Sequence, residues 1–270
     1  MRASRNLLAA ALLSVAVPAL SGVVAVPALL GISAVPALAQ EEAPTPPPQN
    51  WSFNGIFGGL DLGAAQRGFQ VYSEVCANCH SMTLLHYRDL EGIGLTGEQV
   101  MAVAAAVEVP LGVDDQGNPK TGPGTPSSRF RSPFANEQAA RAAMNGALPP
   151  DLSVIINARA GHADYVYALL TGYADAPTGF KMMGGMNYNI YFPGHQVAMP
   201  QPLHDEQVTF ADGSPNRIES EAHDVVTFLY WAANPEAIQR KQIGVRVVLF
   251  LIFMTGITYA VKRKLWADVH

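Results

Sequence analysis

The chain predicts a mainly α domain with long loops, exported and held to a membrane by one C-terminal transmembrane helix. Three observations carry this: helical repeats of apolar residues at both ends of a central region, a Gly- and Pro-rich interior without strand alternation, and a terminal apolar run of membrane length. Of the 270 residues, 49% are hydrophobic, more than one domain of moderate size requires, and the excess lies at the two ends.

From Leu7 to Ala39 there is no charge; Arg2 and Arg5 precede this stretch and Ala37-Leu38-Ala39 closes it with small residues around a cleavage point. Pro18, Pro27 and Pro36 each remove a backbone donor, which disfavours a stable membrane helix. Residues 1–39 are therefore expected to be an export signal and residues 40–240 the exported domain. Within that domain Ala65, Phe69, Tyr72 and Cys76 fall on one helical face, with Asp61 as N-cap and Gly68 free of a side chain where another helix can approach. Ala222, Val225, Val226 and Leu229 repeat the spacing in a second helix, favoured at its start by Glu219 and Glu221 and ended near Pro235. Shorter helices are expected from Glu137 to Met144 and from Asp164 to Leu170. Met101 and Met144 sit in helical patterns where core packing is the expected role.

Ile243 to Val261 carries one charge, Arg246. As a helix it is about 28 Å long, the thickness of a hydrocarbon core. Lys262, Arg263, Lys264 and Trp266 follow as an interfacial anchor, which places a membrane helix at 241–263 and a cytoplasmic tail at 264–270. Orientation comes from the export signal, because Arg240, Lys241 and Arg246 balance the charges beyond the span. The net charge of −5 argues against a nucleic-acid partner and fits a basic protein partner.

The two cysteines stand in Cys76-Ala77-Asn78-Cys79-His80. This is the attachment pattern for haem c: two thiols add to neighbouring vinyl groups on one porphyrin edge while the next residue offers its imidazole to iron. A zinc site would need further soft ligands, and the chain has no other cysteine. Catalytic side chains are not implied; the cofactor carries single electrons. With His80 as one iron ligand, the second is sought farther along. Met82 is too close. Met182, Met183 and Met186 lie in a Gly-rich stretch, and His162, His195 and His204 are loop histidines. Met199 lies between Pro193 and Pro200-Gln201-Pro202, which stiffen the backbone as a ligand-bearing loop requires. Met/His ligation raises the potential and closes the iron to substrate.

Six blocks in order now form a pattern. They are Arg67 to Tyr72, the attachment site with Ser81-Met82, Asn145 to Ser153, Asp164 to Tyr173, Tyr191 to Gly194 before Met199, and Thr227 to Ala233 before the anchor. Together they resemble the bacterial members of the cytochrome c1 family, a subunit of ubiquinol:cytochrome c reductase (the bc1 complex). The resemblance implies a c-type cytochrome fold, one covalent haem c on Cys76 and Cys79, and iron ligation by His80 and Met199. It also implies a pocket lined by Pro149, Pro150, Ile155, Tyr165, Leu169, Leu170 and Phe192, with Arg159 paired to a propionate. Electrons would come from the Rieske iron-sulfur protein and leave to a soluble cytochrome c, with cytochrome b beside the anchor. The complex would be an oxidoreductase, this chain its carrier, and the location a bacterial inner membrane with the haem domain periplasmic. Another membrane-anchored monohaem c-type cytochrome, an oxidase subunit or a free-standing carrier, is the alternative. The stretch from Val109 to Pro133 matches least and is expected to be a surface loop.

Overall fold

The computed structural model describes residues 43–268, so the expected export signal lies outside the described residues. In chain order the elements are α1 (Leu62–Glu74), α2 (Gly97–Ala105), β1 (Glu108–Val113), β2 (Pro119–Pro123), α3 (Glu137–Ala143), α4 (His162–Thr171), β3 (Asn187–Tyr188), β4 (Gln196–Val197), α5 (Ile218–Ala233) and α6 (Ala237–Leu265). Helices dominate, and the strands form two separate two-stranded antiparallel pairs.

The frame is the crossing of α1 with α5. Asp61 caps α1, its carboxylate accepting the Ala64 N–H at 3.0 Å. The predicted apolar faces meet: Ala65, Val71 and Tyr72 of α1 and Ala222, Val225 and Phe228 of α5 are buried in one cluster. Gly68 makes the crossing possible, because a Cβ there would stand 2.0 Å from the Asp224 carbonyl oxygen. Beside it the Arg67 guanidinium binds the buried Asp224 carboxylate through Nε at 2.6 Å and Nη2 at 3.2 Å, and reaches Asp212 at 3.2 Å. Both carboxylates raise the guanidinium pKa. Helix α4 packs on α5 and brings its buried face of Ala163, Val166 and Leu170 to the same core.

The N-terminal segment of the domain is held across α4 and α5. Asp164 accepts from the Gln49 N–H at 2.9 Å and from Trp51 Nε1 at 2.7 Å. Trp51 then stacks between His223 and Phe53, and Phe53 stacks on Tyr230 at a centroid distance of 3.6 Å. Only Asn234 to Glu236 separate α5 from α6. The last helix is continuous over 29 residues and begins four residues before the expected 241. Its first turns carry Arg240 and Lys241, and from Arg246 onward its side chains are exposed; among the described residues it is the helix long and apolar enough to cross a membrane.

The structure corrects three expectations. The stretch from Val109 is not an irregular loop at its start: β1 and β2 form a hairpin, irregular between Pro110 and Gly112. Met101 does lie on a helix, α2, but it is 53% exposed rather than packed in the core. Glu221, read as a helix-start charge, is fully buried; Oε1 accepts the Val208 N–H at 3.1 Å and Oε2 has no partner among the described residues. Burial pushes its pKa up, and Asp205, Glu74 and Asp224 add to the shift. Of the loop histidines, His195 is buried, its ring 3.2 Å from the Asn189 carbonyl.

Candidate haem-binding site

Helix α1 ends before the motif, and Cys76–Asn78 form a tight 3-10 turn. The Cys79 and His80 N–H groups both donate to the Cys76 carbonyl, at 3.1 and 2.8 Å. Asn78 ties the turn back to α1 through Nδ2 to the Glu74 carbonyl at 2.9 Å. One turn therefore carries both thiols and delivers the imidazole. Neither thiol is bonded to the other. Burial, with the neighbouring Cys79, pushes the Cys76 thiol up to about 12. A redox-active dithiol needs the opposite, a thiol acidified toward neutrality.

The His80 ring lies 2.8 Å from the Pro150 carbonyl through Nδ1. A carbonyl only accepts, so Nδ1 carries the proton and Nε2 presents its lone pair. Burial lowers the His80 pKa, against the effects of that hydrogen bond and of Asp151, and so favours the neutral imidazole that metal ligation requires. Pro150 is thus an orienting carbonyl, more than a wall of the pocket.

That carbonyl is itself positioned by a contact sequence reasoning missed. Asp151 Oδ2 accepts from Ser81 Oγ at 2.9 Å and from the Thr83 N–H and hydroxyl, each at 2.8 Å, while Oδ1 accepts the Ser153 N–H at 2.8 Å. Burial opposes the Asp151 charge, but the hydrogen bonds from Ser153 and Thr83 outweigh it and hold the pKa below the usual carboxylate range. The Leu152 N–H donates to the Ser81 carbonyl at 2.8 Å and the Leu84 N–H to Ser153 Oγ at 3.1 Å. The segment after Pro149 is laced along the segment after His80.

Met199 is half-buried and packs on the same apolar cluster as Cys76, Ala77 and Tyr165. Its carbonyl accepts from Tyr173 Oη at 3.0 Å and Asn187 Nδ2 at 3.3 Å, and the β3–β4 pair holds the strand leading into it. Before it, Gly194 and His195 both have positive φ, 74° and 57°, in the turn entering β4. Asn189, fully buried, joins two expected pocket residues: Nδ2 donates to the Leu169 carbonyl at 2.8 Å, and Oδ1 accepts the N–H groups of Tyr191 at 3.0 Å and Phe192 at 3.2 Å. Ile155 and Leu170 are buried, and Pro149, Tyr165, Leu169 and Phe192 half-buried. Arg159, expected to pair with a propionate, lies at the surface of the domain. Its side chain is exposed and donates to its own neighbour, the Ala158 carbonyl, at 3.1 Å, with its charge near the Tyr165 hydroxyl.

Two thiols and a neutral, oriented imidazole on one turn, against an apolar cluster that includes a methionine, are a donor set that fits haem c. No group of three His, Cys, Asp or Glu able to hold a metal ion occurs among the described residues. Fold and site define a c-type cytochrome with a long apolar C-terminal helix.

The family can be stated more narrowly. Residues 51–269 match the model of the Cytochrome C1 family, and the chain belongs to that family. It is 43% identical to cytochrome c1 of Rhodospirillum rubrum, over 82% of this chain and 87% of that one. Cytochrome c1, heme protein, of Saccharomyces cerevisiae is 46% identical, over 83% and 72%. Cytochrome b/c1 of Bradyrhizobium diazoefficiens is 44% identical over 86% of this chain, which spans only 37% of that longer relative.

Proposed function

We propose that the chain is the electron-carrying subunit of a ubiquinol:cytochrome c reductase, taking electrons from a Rieske iron-sulfur protein and delivering them to a soluble c-type cytochrome. Haem c, when bound, supplies a one-electron ferric/ferrous couple. The observation that carries the reading is the His80–Pro150 hydrogen bond directly after the two thiols, because it leaves Nε2 unprotonated and able to ligate iron.

The chain's residues divide the work. Cys76 and Cys79 would attach the cofactor, and His80 and Met199 would ligate its iron. Pro150 and Asp151 keep the imidazole in one tautomer and orientation; Tyr173 and Asn187 fix the backbone from which the thioether extends. Pro149, Ile155, Tyr165, Leu169, Leu170 and Phe192 would exclude water, and Arg159 would meet a propionate near the surface. The net charge of −5 suits a basic acceptor. Helix α6 would span a bacterial inner membrane beside cytochrome b, with the haem domain periplasmic and residues 264–270 cytoplasmic. The name of the Bradyrhizobium relative, which couples b with c1, supports that neighbour.

Affinity purification of the full chain from membranes tests the proposal. Cytochrome b and a Rieske protein should co-purify, and ubiquinol should reduce the haem in the isolated complex but not in the isolated chain. A haem-bearing chain that purifies without either partner, from membranes that contain both, would overturn it.

A further inference from the structure

We infer that the turn 54–60 is a second membrane contact, seating Ile56 and Phe57 in the lipid interface beside the foot of α6. This rests on α6 being a membrane helix.

The side chains at the tip are the opposite of what an aqueous loop selects. Phe57 is 88% and Ile56 69% exposed, and no residue from Asn54 to Leu60 is charged. Isolated exposed apolar residues are ordinary, but two adjacent large ones at the tip of an uncharged turn mark a contact surface. The turn is built rather than loose. The Asn54 N–H donates to the Trp51 carbonyl at 3.1 Å, the Gly59 N–H to the Ser52 carbonyl at 3.0 Å, and the Asp61 N–H to Ser52 Oγ at 3.2 Å. Gly55 takes a positive φ of 74°, and a Cβ on Gly58 would stand 2.0 Å from the Asn54 carbonyl oxygen. Glycine at both positions lets the chain fold tightly enough to present Ile56 and Phe57 together.

Its root is fixed at the level of the anchor. The Lys241 ammonium donates to the Phe53 carbonyl, and the Phe53 ring stacks on Tyr230 near the end of α5. Lys241 lies two residues before Ile243, where the apolar run begins, so the turn starts within about one helical turn of the expected hydrocarbon boundary. Arg240 and Lys241 at that level suit anionic headgroups, and an aromatic ring at the same depth suits the lipid interface. A protein partner fits less well: two side chains fall far short of the ~1,200 Å² that a stable protein interface buries, whereas lipid contact adds directly to a surface α6 already forms.

The test uses the haem-bearing full chain in vesicles of phosphatidylcholine and phosphatidylglycerol. With Cys76 and Cys79 held as thioethers, Phe57→Cys offers one thiol for a nitroxide label, and power saturation compares its collisions with oxygen and with a water-soluble nickel chelate. Ile252→Cys in α6 and Asp115→Cys at the hairpin turn serve as lipid and water references. The expected oxygen-to-nickel ratio at position 57 is several-fold above that at 115 and approaches that at 252. A ratio at 57 equal to that at 115, with 252 still lipid-exposed, overturns the inference. So does a label at 57 shielded from both reagents, which would mean protein covers the tip. A ratio at 252 equal to that at 115 would instead overturn the membrane helix itself.

Discussion

Gly68→Ala isolates the contact on which the fold turns. The added methyl would lie 2.0 Å from the Asp224 carbonyl oxygen, 2.5 Å from its carbon and 2.9 Å from Phe228 Cβ, where ordinary contact begins at 3.4 Å. Backbone cannot rotate aside, so α1 and α5 must separate by about 1.4 Å, the difference between 3.4 and 2.0 Å. That movement opens the packing of Val71, Tyr72, Val225 and Phe228, all buried. Overpacking costs ~1–3 kcal/mol and a backbone clash belongs at the upper end, while Ala gains about 1 kcal/mol of helix propensity over Gly. The net loss is ~2 kcal/mol, a fall of roughly 4–8 °C in melting temperature for a domain of this size. Thermal unfolding of the haem-bearing chain in detergent, followed by near-UV circular dichroism, measures it. Gly63→Ala on the same helix is the control, since its nearest neighbours would stand at ordinary contact, 3.4 and 3.5 Å, and it should be neutral or slightly stabilising. A melting temperature for Gly68→Ala at or above that of the parent would refute the close crossing.

Arg67→Met leaves the buried Asp224 carboxylate without its two hydrogen bonds and should destabilise the domain by ~3 kcal/mol, the lower end for a broken buried pair because Arg67 is partly exposed; urea unfolding reads this, and adding Asp224→Leu should restore much of the loss. Glu221→Gln changes the pH dependence of stability. The raised folded pKa means the contribution of protonated Glu221 is complete below the usual glutamate range and is lost as pH rises through the folded value. The melting temperature of the variant minus that of the parent should therefore grow with pH, and parallel curves would show that Glu221 does not titrate as its burial requires. Arg159→Gln should lower the reduction potential, since a propionate charge left uncompensated favours ferric iron, while the melting temperature changes little because the side chain is exposed. An unchanged potential would detach Arg159 from the cofactor.

What the sequence shows of this molecule depends on whether the determining interaction is local. Helices α1 and α5 are legible because their burial follows a 3.6-residue period and their ends carry a cap and a proline. The attachment site is legible because chemistry demands its spacing. Helix α2 buries little more than Val100 and Ala104, so its period is weak; the available signal is Thr96 with Gln99, a reciprocal capping box that the structure shows formed. The hairpin escapes notice because Pro110, Gly112, Pro119 and Gly122 interrupt any alternation, leaving backbone pairing to define it. Pro150, Asp151 and Asn189 act through carbonyls and amides of segments 2 to 70 residues away. Composition is silent on such contacts, so their roles appear only when the chain is folded. Glu221 teaches the same point from the other side. A glutamate at a helix start reads as a solvated charge, yet in the fold Glu221 is buried and accepts the Val208 N–H from a segment 13 residues earlier.

The most direct test of the account is a spectrum and redox titration of the full chain beside Met199→Leu. Both should keep haem on the denatured polypeptide, since attachment needs only Cys76 and Cys79. The parent should show the weak far-red band of a thioether bound to ferric iron, and Met199→Leu should lose that band and fall in potential by ~100 mV or more. An unchanged band and potential in Met199→Leu would contradict the ligation assigned here and move the ligand to Met182, Met183 or Met186.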